Sequence, residues 1–97
     1  GDFPIPTNDL NEAFEISVFP NPATKSFYVD GKLTEANNAT IVLYNVEGKA
    51  LIERTLNGLN RFSEYFELDG MPQGTYLVKL LSETGETLAS EKLIVVE

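Results

Sequence analysis

Carboxylates are the side chains best placed to do chemistry in this sequence, because it contains neither histidine nor cysteine. Two close pairs stand out, Glu64 with Glu67 and Glu83 with Glu86. Paired acids can share a proton-transfer task when their surroundings leave one protonated and the other ionised. Hydroxyls are available at Ser17, Ser26, Ser63, Ser82 and Ser90. A serine nucleophile needs an adjacent base, however, and there is no imidazole to act as one. The lack of thiols removes disulfides, thiol catalysis and thiolate-held zinc. Both glutamate pairs fall at expected turns or on strand faces and read as solvated charge, so no catalytic residue is assigned and no enzymatic activity is expected.

Calcium is the metal that oxygen ligands alone could hold. Asp30, Glu35, Glu47 and Asp69 all lie near expected turns. None belongs to a spaced acidic loop of the Asp-x-Asp-x-Asp-Gly kind, so they read as solubilising loop acids. The seven glycines occur singly, without the clustering that cradles a phosphate. No metal and no cofactor is therefore expected. Among the four tyrosines, Tyr28 and Tyr65 fall off the expected core parity. Tyr44 and Tyr76 are expected to bury their rings and hydrogen-bond at the tip. A sugar-binding face would require an exposed aromatic cluster, which the sequence does not clearly supply.

The charge balance narrows the partners. Fifteen acids against seven bases give a net charge of −8 over 97 residues. Binding a phosphate backbone needs clustered Lys and Arg, so no nucleic acid is expected. An anionic membrane surface is disfavoured for the same reason, and no apolar run reaches the roughly 18 residues of a membrane-spanning helix. The chain opens with no signal-peptide pattern.

The positioning elements are short strands punctuated by turn residues. Residues 1–15 read as a linker, with Pro4 and Pro6 among polar residues. Phe3, Ile5, Leu10 and Phe14 are able to dock on the domain or simply to precede it. Strands are expected over 15–19, stopped by Pro20-Asn21-Pro22, and over 26–29, ended by Asp30-Gly31. Asn21 is expected to bond its own local backbone. The segment 40–46 is apolar on both faces, which suits a central strand. It forms a hairpin with 49–54 through the Glu47-Gly48 turn. Strand 61–68 places Glu64 on the same face as Phe62 and Phe66, which a bulge or an edge position would explain. Pro72 and Gly74 fix the start of the next strand. Ser82-Glu83-Thr84-Gly85 turns the chain back, with Gly85 left-handed. The last strand, 87–96, changes parity, and a bulge is expected near Ser90-Glu91. About seven strands with regular turn signals and no helical periodicity specify an all-β, immunoglobulin-like antiparallel β-sandwich.

Four motifs then occur in order: Val18-Phe19-Pro20-Asn21-Pro22-Ala23, Tyr44-Asn45-Val46-Glu47-Gly48-Lys49, Pro72-Gln73-Gly74-Thr75-Tyr76, and the closing Lys92-Leu93-Ile94-Val95-Val96. Over residues 16–97 the chain resembles the C-terminal sorting domain (type A) of Bacteroidetes proteins exported by the type IX, or Por, secretion system. The resemblance implies a domain at 16–97 that directs a larger cargo from the periplasm through the type IX outer-membrane translocon, served by shuttle proteins. It also implies that a sortase-like cysteine protease then cuts in the linker at 1–15 and joins the cargo to the cell surface. The matching motif positions are Asn21, Pro22, Gly48, Lys49, Gly74, Tyr76 and the stretch Lys92, Leu93, Ile94, Val95 and Val96. That stretch is expected to be read directly, by strand addition at an exposed edge, and the same edge offers a route to weak self-association. The chain departs from the family by carrying Glu97 where members often have a basic residue, so no basic terminal contact is expected. The competing readings are an accessory module of immunoglobulin or fibronectin type that binds sugar or protein, and a structural spacer of a surface protein.

Overall fold

The computed structural model describes residues 15–32, 38–57 and 61–97. The expectations for residues 1–14, with Phe3, Ile5, Leu10 and Phe14, and for Glu35 lie outside the described residues. Seven strands are described: β1 (Glu15–Phe19), β2 (Ser26–Lys32), β3 (Ala39–Tyr44), β4 (Ala50–Leu56), β5 (Arg61–Glu67), β6 (Gly74–Ser82) and β7 (Thr87–Val95). All pairings between them are antiparallel, in one sheet of order β1-β2-β5 and another of order β4-β3-β6-β7. The fold is thus the expected seven-stranded β-sandwich. Its fourth strand joins β3, whereas in constant-type immunoglobulin domains the fourth strand lies on the opposite sheet.

Period-two alternation builds the core. Val18, Phe27, Val29, Phe62 and Phe66 of one sheet meet Ile41, Leu43, Val78, Leu80, Leu93 and Val95 of the other. Phe27 and Phe66 stack at 5.0 Å between ring centroids. The doubly apolar β3 is central, between β4 and β6, and even its outward-facing Val42 is buried.

Two hairpin turns use the same device. Asn45 Oδ1 accepts the N–H groups of Glu47 and Lys49, at 2.9 and 3.0 Å. Ser82 Oγ accepts those of Thr84 and Glu86, at 3.2 and 3.1 Å. Each turn contains a left-handed glycine, Gly48 and Gly85 respectively, the latter as the sequence predicts.

Several expectations are corrected. Asp30-Gly31 does not end β2, which runs on to Lys32. Gly31 instead pairs with Phe62, and a Cβ at this position would overlap the Phe62 ring. It is a close-approach glycine within a strand. The bulge in β7 is at Leu88, because Leu80 pairs with Ala89 and Leu81 with Thr87. This lets both Leu88 and Ala89 pack on the core. For Glu64 the edge alternative holds and the bulge does not: β5 is an edge strand in unbroken register with β2, and Glu64 pairs with Arg54 at 3.1 Å.

Candidate functional site

Strand direction brings the motifs together. In this topology the ends of β1, β3 and β7 and the starts of β2, β4 and β6 all lie at one end of the sandwich, as the pairs Phe19–Tyr28, Tyr44–Ala50 and Gly74–Val95 show. The Pro-Asn-Pro turn, the Gly48 hairpin, the Pro72–Tyr76 corner and the closing stretch from Lys92 therefore share that end.

Asn21 is the organising residue there. It does not bond locally as the sequence suggested. Its Nδ2 donates to the Lys92 carbonyl at 2.7 Å, and its Oδ1 accepts the Ile94 N–H at 2.9 Å. An asparagine side chain carries the same donor and acceptor as a peptide group, so here it imitates a neighbouring strand. Two residues on, the Ala23 N–H donates to the Ile94 carbonyl and the Val96 N–H donates to the Ala23 carbonyl, both at 2.8 Å. Ala23 thus forms a parallel bridge to Val95 and is itself fully buried. Pro22 sits exposed between these two anchor points, and the Phe19–Pro20 and Asn21–Pro22 peptide bonds are both cis.

These four bonds correct the expected open edge. The Lys92 carbonyl, both outward groups of Ile94 and the Val96 N–H are already taken by residues 21–23. The side chains of the stretch divide by parity. Leu93 and Val95 are core, Ile94 and Val96 are half-buried, and only Lys92 is exposed.

Tyr76 behaves as expected. Its ring is buried and its hydroxyl donates to the Pro72 carbonyl at 2.5 Å. A tyrosine at the start of a strand bonding a carbonyl four residues back is a tyrosine corner, which pins the connection between the two sheets. Gly74, at φ +151°, lies within this corner and opposes Val95. The spacing of Pro72, Gly74 and Tyr76 is thereby accounted for. Tyr44 departs from expectation. Its ring lies on the outer face, half-buried, with the Lys79 ammonium 5.3 Å from the ring centre.

A hollow of about 340 Å³ opens on this outer face, lined by Tyr44, Val46, Gly48, Leu77, Lys79 and Lys92 together with Asn45, Thr75 and Tyr76. Gly48, Tyr76 and Lys92, three of the motif positions, meet around it. Pro22, Gly74 and Lys49 do not line it. Lys49 is exposed and serves the turn through its backbone.

The candidate acids are dispersed. Glu64 and Glu67 point to opposite faces of β5, so they cannot act on one substrate atom. Glu83 and Glu86 are exposed in the β6–β7 turn. Asp30 accepts from Ser63 Oγ at 2.6 Å, while Glu47 and Asp69 are exposed at separate turns.

Sequence reasoning missed two features. One is the row Phe19, Tyr28 and Tyr65, exposed across the outer face of the three-stranded sheet. Its rings pack on one another, with centroids 5.7 and 5.2 Å apart, and the first pair is nearly parallel. The ring faces that a sugar would stack on are partly consumed, and the row acts as a cross-strand ladder. The other is Arg54, whose guanidinium bonds Glu64 and the Tyr65 carbonyl and lies 4.3 Å from the Phe66 ring centre. Off-parity tyrosines signalled the first. Nothing local signalled the second.

Comparison with known families matches residues 17–96 to the secretion system C-terminal sorting domain, the Por secretion tail. The chain belongs to this family, and as a type IX C-terminal sorting domain it acts as a secretion signal for its cargo. Membership implies engagement with the secretion machinery and secretion across the outer membrane. No curated protein matches the chain. Among solved structures, an endonuclease/exonuclease/phosphatase from Beutenbergia cavernae is similar at 18% identity and a TM-score of 0.45. The match covers 84% of this chain and 23% of that one.

Proposed function

We propose that the export machinery reads the folded domain at the end where the four motifs converge. In this reading residues 16–97 form the signal and residues 1–15 the linker. The cargo passes from the periplasm through the outer-membrane translocon with the aid of shuttle proteins. A surface sortase-like cysteine protease then cuts within the linker and attaches the cargo to the cell surface. The observation that carries the reading is the double tie of residues 21–23 to the closing stretch. Motifs that open and close the domain form one continuous surface, which is present only when the sandwich is folded. Pro22, Gly48, Lys49, Gly74 and Tyr76 shape that surface through turns and the tyrosine corner, and Lys92 supplies an exposed side chain.

The test is export of a reporter. Residues 1–97 are fused to the C-terminus of a fluorescent protein bearing a periplasmic signal peptide. The fusion is expressed in a Bacteroidetes host with a working type IX system and in one lacking it. Reporter outside the cell only in the competent host is expected, with cleavage of the exported product within residues 1–15. Periplasmic retention of a folded fusion in the competent host would overturn the reading.

A further inference from the structure

The hollow on the outer face of the four-stranded sheet is built unlike the rest of this acidic surface. The chain has only seven basic residues against fifteen acids, yet Lys79 and Lys92 both line this one depression. Neither has a carboxylate partner among the described residues, where the one ion pair joins Arg54 and Glu64. Between the lysines the floor is apolar and aromatic. Leu77 pairs with Lys92 on one side and with Tyr44 on the other, so Tyr44, Leu77 and Lys92 form a row across three strands. Lys79 lies two residues along β6 on the same face, with its ammonium drawn over the Tyr44 ring. Val46 stands at the rim, 77% exposed.

We propose that this hollow docks an acidic peptide segment of a partner protein, with its carboxylates on Lys79 and Lys92. Charge complementarity selects the occupant. An extended segment sets same-side residues about 7 Å apart. The Cα positions of Lys79 and Lys92 are offset by one strand and two residues, about 8 Å. Two carboxylates at alternate positions match this backbone spacing, and the flexible lysine stems carry the ammonium groups to them. The net charge of −8 repels an extended anionic membrane, whereas a short segment feels mainly the local pair of cations. The inference rests on the reading of this end as the surface met by the machinery. Its test measures binding alone, so export and occupancy can fail separately.

The experiment tracks amide chemical shifts of the isotopically labelled 97-residue chain. The probe is a capped pentapeptide with glutamates second and fourth and serines elsewhere. Saturable shifts at Tyr44, Leu77 and Lys92 are expected, absent with the glutamine version of the peptide. The double substitution Lys79→Gln with Lys92→Gln should weaken binding by about tenfold, and Lys32→Gln, on the other sheet, should leave it unchanged. Both lysines lie on the outer face, and an unaltered amide spectrum away from the hollow confirms that the double variant is folded. Absence of saturable shifts, or affinity unchanged in the folded double variant, overturns the proposal. So does stronger response to inorganic phosphate or to phosphatidylglycerol vesicles than to the peptide.

Discussion

The two long seams of the sandwich are closed in different ways. Where β1 faces β7, the chain leaving β1 crosses to the other sheet and bonds its backbone at four points through Asn21 and Ala23. Where β5 faces β4, the closure among the described residues is made by one side chain. Arg54 reaches from β4 to Glu64 and the Tyr65 carbonyl and lies over Phe66. The first device satisfies the outward groups of an edge strand as another strand would. The second joins the sheets but leaves the β4 edge to solvent, guarded by the exposed Glu53 and the half-buried Arg54. The backbone closure thus falls on β7, whose Leu93 and Val95 are core.

The largest expected effect strikes both seams. Gly31 lies in β2 between β1 and β5, and Gly31→Ala drives a methyl group into the Phe62 ring, displacing β5 from β4 and disturbing β1 over β7. The expected loss is about 1–3 kcal/mol in urea unfolding. Asn21→Ala attacks the first seam alone. It removes two hydrogen bonds at an exposed site where water replaces part of the loss, and about 1–2 kcal/mol is expected. The midpoint should fall at constant denaturant slope, and concentration-dependent self-association should appear in sedimentation as the β7 edge opens. Arg54→Ala attacks the second seam. Its ion pair is partly solvent-screened, so about 1 kcal/mol is expected, without added self-association. Arg54→Lys keeps the charge but loses the planar fork and should cost about half of that. Self-association in the Arg54 variants and not in Asn21→Ala would invert the comparison.

Much of this architecture was legible in the sequence because strands and turns write local patterns. Alternation marked the strands, Gly48 and Gly85 marked their hairpins, and the doubly apolar segment at 40–46 marked a central strand. The motifs carried the family. What stayed hidden was long-range pairing. Asp30-Gly31 has the composition of a turn, and only the ring opposite explains why a glycine runs through mid-strand. Asn21 between prolines satisfies every local rule for a turn residue, and its true partners lie more than 70 positions away. The parity change in β7 required a bulge somewhere between Leu88 and Leu93. Core packing, which the sequence does not show, placed it at Leu88. Tyr44 and Tyr76 are the same residue type near the same end of the sandwich. Their parity relative to the core puts one in the floor of the hollow and makes the other a corner post.

The central structural claim is that the backbone of the closing stretch is not an open edge in the folded domain. Native-state hydrogen exchange at the Ile94 and Val96 amides tests it most directly, since each donates to residues 21–23. Protection close to that of the β3 and β6 core amides in the intact chain is expected, falling selectively at Ile94 in Asn21→Ala. Exchange at Ile94 and Val96 as fast as at exposed turn amides in the intact chain would contradict the claim and return the stretch to the status of a free edge.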